Sequence, residues 1–307
     1  MNRDVLILGG LIIDNYYMTK EYPSIGQDTE INNFFERVGG CSINVGITLR
    51  NLGCVPYIVS GVGNDERGKR VEKYLTDQEL DKEFISKEDG NTGFCLVLLD
   101  ESGERTFLTY KGCEEKISED ILQNPEINNM AYVYITGYYM LSTEYKEVKL
   151  SLLRTLRNNG SKLIFDPGSM VDQIEDDFLR QILELSHIIM PNKSELRKLE
   201  TKLKIDNGFT KWCLNNNFEL VVEKDGSKEL KAYTKDNQFS VSPYKVKSVD
   251  TTGAGDSFAA GLIYGLVNGM DIETTLKIAS ACGALATTFL EPHGNFGIDE
   301  VKEIVDI

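Results

Sequence analysis

Histidine and tryptophan are nearly missing from this 307-residue chain, which has His187, His293 and a single Trp. A histidine-rich metal site is excluded, and a Ser-His-Asp mechanism has little to draw on. The six cysteines, Cys41, Cys54, Cys95, Cys113, Cys213 and Cys282, form no C-x-x-C pair and no framework. They read as reduced, mostly buried thiols of a cytoplasmic protein. Cations are scarce, with 33 Lys and Arg against 48 Asp and Glu and a net charge of −15. A nucleic-acid binder needs a basic face, so no nucleic-acid partner is expected, although a local basic pocket for one small anion stays open. No apolar run reaches the ~18 residues of a membrane span, so no membrane partner is expected either. The apolar start, Val5 to Ile13, is broken by two glycines and lacks a basic leader and a small-residue cleavage site. It reads as a buried first strand. What remains is an ordinary globular composition, 41% hydrophobic and 26% charged.

Short apolar runs alternate with helical spacing along most of the chain. Candidate strands are Val5–Ile13, Tyr57–Val62, Tyr132–Ile135, Lys162–Phe165, His187–Met190 and Phe218–Val222. Between them Ile43–Leu52, Arg67–Leu75, Tyr145–Arg157 and Asp177–Leu185 have helical periodicity. This alternation implies an α/β fold with a mainly parallel sheet covered on both faces. Residues Tyr16–Val38 break the rhythm, and Phe94–Tyr110 reads as a hairpin turning at Ser102-Gly103. Such strands form either a small flap over the sheet or an edge hairpin of no special role. Asp14, Asp166, Asn192, Lys224 and Asp250 each follow an apolar strand-like run. Open α/β sheets bind ligands at that end of their strands, though each residue alone is an ordinary turn former or helix cap.

The segment Asp250-Thr-Thr-Gly-Ala-Gly-Asp256-Ser-Phe-Ala-Ala-Gly261 is the most specific. It follows the strand-like Lys245–Val249 and opens a helix whose stripe is Phe258, Leu262 and Leu266 beside Ala259, Ile263 and Val267. Gly269 suits its C-terminal stop. Gly253-Ala254-Gly255 thus turns into a helix N-terminus, where free N–H groups and the dipole favour an anion. Phe258 stands where a dinucleotide-binding G-x-G-x-x-G needs glycine, and no Lys-Ser/Thr follows as in a P-loop. Asp256 would repel a phosphate that it touched, but it suits the proton of an attacking hydroxyl. Spacing alone leaves a helix-capping aspartate equally open.

Thr252-Gly-Ala-Gly-Asp256-Ser-Phe resembles the C-terminal signature of the ribokinase-like carbohydrate kinases, the phosphofructokinase-B family. Val38-Gly-Gly-Cys-Ser-Ile-Asn-Val45, with Gly46 and Leu52-Gly53, resembles the N-terminal one. Ile7–Asp14 resembles the first strand, and Asn192-Lys-Ser-Glu195 the N-x-x-E motif. The resemblance implies a Rossmann-like three-layer sandwich with a small β-sheet lid. It also implies a single kinase domain over 1–307, with lid segments at about 15–38 and 93–112. Asp256 would be the catalytic base, with Gly253, Ala254 and Gly255 as anion hole. Asp14, Gly39, Gly40, Asn44 and Asp250 would bind the sugar. Asn192 and Glu195 would organise Mg²⁺ and phosphates, Glu195 as the metal residue. The helix Glu273–Leu290 would flank adenine, although its small residues by themselves suit close helix packing. ATP and Mg²⁺ are implied, as are monovalent-cation activation and a homodimer through the lid.

One departure stands out. The family's Thr-x-Gly-x-x-Gly loop is replaced by Val222-Glu-Lys-Asp-Gly-Ser-Lys228, in which Gly226 is retained. Lys224 or Lys228 could reach a phosphate, but a solvated hairpin charge is the commoner fate of such lysines. Carboxylates at the sugar site suit a neutral polyhydroxyl compound, ribose- or ketohexose-like. Arg37 and Arg105, in the lid segments, would hold an anion bidentately or serve only as surface residues. A nucleoside kinase of the same family is the nearest alternative, through Tyr16, Tyr17, Phe34, Phe35, Phe107 and Tyr110 as stacking rings. A non-catalytic sugar or nucleotide sensor is a further one.

Overall fold

The computed structural model describes residues 4–101, 105–206, 208–290 and 292–305. Strand β1 (Asp4–Leu8) is followed by β2 (Ile12–Thr19), β3 (Ile31–Gly39), helix α1 (Cys41–Asn51), β4 (Val55–Gly63), α2 (Glu66–Asp77) and β5 (Ile85–Glu88). Next come β6 (Phe94–Leu99), β7 (Arg105–Tyr110), β8 (Tyr132–Thr136), α3 (Lys146–Asn158), β9 (Lys162–Asp166), α4 (Asp176–Leu185) and β10 (Ile188–Ile189). The chain continues through α5 (Lys193–Leu203), α6 (Phe209–Asn215), β11 (Leu220–Glu223), β12 (Leu230–Tyr233), β13 (Gln238–Val241), α7 (Ala254–Val267), α8 (Ile272–Ala286) and α9 (Ile298–Val305).

Nine described strands form the central sheet in the order β13-β12-β11-β10-β9-β8-β1-β4-β5. From β11 to β5 every pairing is parallel, while β12 and β13 add an antiparallel edge. Parallel strands covered on both faces must be apolar throughout, and β1 obeys this. Its Val5 and Ile7 pack with Ile43, Val45 and Leu262 of α1 and α7. Leu6 and Leu8 pack on the other side with Leu152, Leu153 and Phe178 of α3 and α4. Two apolar layers therefore flank one sheet, as the alternating pattern implies.

β2, β3, β6 and β7 make a separate small sheet, ordered β3-β2-β6-β7. Its β2–β6 pair is parallel and its two outer pairs antiparallel. The strand expected over Val5–Ile13 is thus two strands in different sheets, parted at Gly9-Gly10. An unbroken apolar run hides that break. Lys245–Val249 is not a strand. Its end is held by a loop, with Val249 N–H and Asp250 N–H both donating to the carbonyl of Thr287. β5, β12 and β13 escaped the sequence reading because they lie at or next to the sheet edges, where few residues are buried. The hairpin Phe94–Tyr110 forms with β6 and β7 paired, and its Ser102-Gly103 turn lies outside the described residues. The helix expected over Glu273–Leu290 ends at Ala286.

Candidate active site

The chain leaves β1 for β4 on one side and later returns to β8 on the other, so the strand order reverses at β1. Beyond the carboxyl ends of the strands at such a reversal, the loops part and leave a crevice. Here it is a cavity of about 620 Å³. Asp166 ends β9, while Asn192 and Lys224 lie just past β10 and β11 and are joined by a backbone bridge. Three of the five strand-end residues therefore share one wall, with Glu195 and Gly226 beside them.

The opposite wall is the turn into α7. Gly253 is its N-cap at φ 75°, and no side chain caps the first turn. Ala254 N–H is taken by the carbonyl of Thr251 at 3.3 Å, which leaves the donors of Gly255 and Asp256 open to a ligand. Gly253 and Gly255 line the cavity with Asp256. Asp256 stands in the first turn, past the cap, so it is not the capping residue. Asn44 Nδ2, on α1, donates to Asp256 Oδ2 at 2.8 Å. Asn44 Oδ1 is buried without a partner, an acceptor left over for a ligand hydroxyl. Thr48 and Ser257 hydroxyls, 3.2 Å apart, tie α1 to α7 just below. Burial pushes the Asp256 carboxyl up to about 7, with the charge of Asp166 adding to it against the Asn44 hydrogen bond and Lys224. That is the range a general base needs near neutral pH.

Asp14 belongs to β2 of the small sheet, not to the end of the first core strand. Its carboxylate lies over Gly39, where a Cβ would meet Asp14 Oδ2 at 2.0 Å. Gly39 is therefore needed to give the acid its place. Burial, then the charges of Glu114 and Asp256, push Asp14 up to about 7. Gly40 caps α1 at φ 101°. Asp14, Gly39, Gly40, Asn44 and Asp256 thus converge where β2, β3 and α1 meet α7.

The two arginines of the small sheet are engaged with the core. Arg37, opposite Asp14 on β3, donates to the carbonyl of Leu290 at 2.5 Å. Arg105, on β7, pairs with Asp250 at 2.6 Å. Asp250 Oδ1 also accepts Thr252 N–H at 2.7 Å. Asp250, expected at the sugar site, also anchors the small sheet to the α7 turn. Arg105 is thus ion-paired and mostly buried rather than a solvated surface charge.

Glu195, expected beside Mg²⁺ and the phosphates, caps a helix at the cavity wall. Its Oε2 accepts Asn192 N–H at 2.8 Å and its Oε1 accepts Asn192 Nδ2 at 2.7 Å. Both oxygens close a capping box on α5, which leaves contact with an ion to pass through water. Lys224 is no solvated hairpin charge. Burial works to lower its pKa, but Asp166 and Glu195 beside it hold it above the ordinary lysine value. The small residues of α8 pack on α7, where a Cβ on Gly261 would meet Ala279 Cα at 2.8 Å. Close helix packing accounts for that stripe. Sequence reasoning missed Cys41 and Tyr134, which line the cavity. Burial, then Asp256, push the Cys41 thiol well up. Nothing in the spacing of either residue marks it.

Known proteins share this sequence pattern and fold. An Arabidopsis thaliana protein named "Probable fructokinase-4" is 29% identical over 274 residues, 83% of each chain. The nucleoside kinase of Methanocaldococcus jannaschii superposes with a TM-score of 0.85 at 22% identity, covering 99% of this chain and 98% of that one. The Escherichia coli chain solved with ATP and Mg²⁺ under the name Ribokinase II reaches 0.80 at 25% identity, covering 100% and 99%. The pfkB family carbohydrate kinase model matches residues 2–291. A nearly full-length match, with its two signatures meeting as Asn44 against Asp256, places this chain in the pfkB family of carbohydrate kinases.

Proposed function

We propose that this chain moves the γ-phosphoryl group of ATP to a hydroxyl of a small neutral sugar, ribose- or ketohexose-like. The observation that carries this is Asp256, which is half-buried at the cavity, hydrogen-bonded to Asn44 and set in the uncapped first turn of α7. The sugar hydroxyl attacks the γ-phosphorus as the bond to the β-bridging oxygen breaks, and its proton passes to the Asp256 carboxylate. Backbone N–H groups of Gly255 and Asp256 face the charge that develops on the phosphoryl oxygens, while that of Ala254 is held by Thr251. Lys224 adds a cation on the facing wall, and Gly226 leaves room beside it. The residues present suit Mg²⁺, which supplies charge screening of the phosphates, with Asn192 and Glu195 holding it through water.

Asp14 and the free Asn44 Oδ1 then read sugar hydroxyls, with Gly39 giving Asp14 its place and Gly40 letting α1 start against the Gly10 backbone. Acidic groups around the acceptor disfavour sugar acids and sugar phosphates. A nucleoside acceptor is the second reading. Tyr16 and Phe35 stack on each other at 4.7 Å, while Phe107, on the same face of the small sheet, is 55% exposed and offers a ring to a base. A coupled ADP-release screen of sugars and nucleosides, with and without K⁺, decides between them. With the best sugar, Asp14→Ala is expected to weaken acceptor binding by ~1.5–3 kcal/mol and leave nucleotide binding nearly intact. Turnover of no neutral sugar, or unchanged sugar affinity in Asp14→Ala, overturns the reading.

The small sheet acts as a lid, and its outer face is where we place a cytoplasmic homodimer. Phe34, Leu108 and Tyr110 share one face and are 68%, 56% and 47% exposed. A second copy of the same sheet covers such an apolar face self-complementarily. Sedimentation should give a dimer for the parent and a monomer for Phe34→Glu combined with Leu108→Glu. A parent that is monomeric at micromolar concentration refutes the dimer.

A further inference from the structure

Lys224 lines the cavity just past β11, in the segment that stands where the family's Thr-x-Gly-x-x-Gly loop is expected. Its Nζ lies 2.9 and 3.0 Å from the two oxygens of Asp166, with the side chains 15% and 11% exposed. The Tyr134 hydroxyl donates to Asp166 Oδ2 at 3.3 Å. The backbone of Lys224 is fixed, because its N–H donates to Pro191 and its carbonyl accepts from Lys193. Only the side-chain stem can move. Asp166, Glu195, Asp225 and Asp256 outnumber Lys193 and Lys224 along this cavity. Phosphates entering it meet two lysines each already held by a carboxylate, Lys193 by Asp225 and Lys224 by Asp166.

Building on the ATP-dependent reading above, we propose that Lys224 and Asp166 are a displaceable pair. The terminal phosphates of the nucleotide take Lys224 from Asp166, and the released carboxylate joins in holding the Mg²⁺ that accompanies them. A phosphate chain carries more charge than one carboxylate and offers several acceptors, so the exchange runs toward the nucleotide. Asp166 is thereby a positioning residue that competes with phosphate before binding and serves the cation after it. A pair that merely stiffened the strand ends would have no such double effect.

Calorimetric titration with ADP and with adenosine, each in EDTA and in Mg²⁺, separates these cases without any sugar present. Asp166→Asn removes the competitor and should tighten Mg²⁺-free ADP binding about tenfold, since less of the lysine is held away from phosphate. Lys224→Met should weaken Mg²⁺-free ADP binding at least tenfold, the loss of a charged contact. Mg²⁺ should still tighten ADP binding to Lys224→Met, and should do so several-fold less for Asp166→Asn. Adenosine affinity should stay the same throughout. Because Lys224→Met strands a buried carboxylate, the neutral double variant Asp166→Asn with Lys224→Met serves if it misfolds, with ADP affinity as weak as the single variant. Mg²⁺-free ADP binding that weakens in Asp166→Asn, or an undiminished Mg²⁺ effect there, overturns the displaceable pair. A parent that binds no ADP overturns the ATP-dependent reading beneath it instead.

Discussion

Asp256→Asn is expected to lower kcat by ~10²–10⁴-fold, the usual contribution of a positioned base, while the fold persists. Asparagine keeps the shape and can still accept from Asn44 Nδ2, the contact seen at 2.8 Å. It cannot take the hydroxyl proton. KM for ATP should move little, the pattern of an interaction required only in the transition state. Because phosphoryl transfer is loose and the nucleophile deprotonates late, the lower end of the range suffices. For the parent, kcat/KM should climb through an acid limb near pH 7, since Asp256 is pushed up to about 7 by burial and must be ionised to act. Asp14 has a similar value and the two interact, so the limb belongs to the pair. The effect on stability has the opposite sign. A carboxyl whose folded pKa is raised makes the native state bind more protons than the unfolded one between pH ~4 and 7, so stability falls as pH rises through that window. Asn removes this penalty, and at pH 8 the variant should melt no lower than the parent. Steady-state kinetics and thermal melts on one preparation check both. A variant keeping more than about a third of parental kcat, where chemistry limits turnover, removes the base assignment.

The layers and most central strands could be read from the chain because burial on both faces writes itself as continuous apolar runs. Leu163, Ile164 and Phe165 are all fully buried, and the spacing places their strand within a residue. Helix α7 was legible for the same reason, together with Gly269 at φ 67° beyond its end. The split of Val5–Ile13 was not, because Ile12 and Ile13 are as buried in their own sheet as Val5 and Ile7 are in theirs. Periodicity records burial, not which sheet provides it. The site divides in the same way. The α7 turn is local, and its glycines announce it. The ion pairs Arg105–Asp250 and Lys224–Asp166 join residues 145 and 58 positions apart in sequence, and a single sequence does not say which charges meet. Lys224 looked like a hairpin charge because a lysine after a strand usually meets water. The closeness of the β9 and β11 ends, across β10, gives it a carboxylate instead.

The two glycines of the α7 turn should answer to substitution in opposite ways. Gly253→Ala is expected to lose ~2–5 kcal/mol of stability, from a left-handed backbone plus a steric overlap. Gly253 has φ 75°, and a Cβ there would fall 1.7 Å from the carbonyl oxygen of Pro292, which is backbone and cannot step aside cheaply. Gly255 meets nothing within 4 Å, so the protein itself sets no bar to a methyl group there. It lies inside α7, where alanine exceeds glycine by ~1 kcal/mol, and Gly255→Ala should therefore melt higher than the parent. Yet Gly255 lines the cavity, and the added methyl would stand where a phosphate approaches the uncapped helix end. KM for ATP should rise at least tenfold, the scale of one charge-assisted hydrogen bond lost. Thermal melts and ATP titrations of both variants test the contrast. A Gly255→Ala protein that is more stable and keeps its ATP KM within twofold would show that no phosphate sits at this turn. The opposite outcome, higher stability with poorer nucleotide binding, would show that Gly255 is kept for the ligand and Gly253 for the fold.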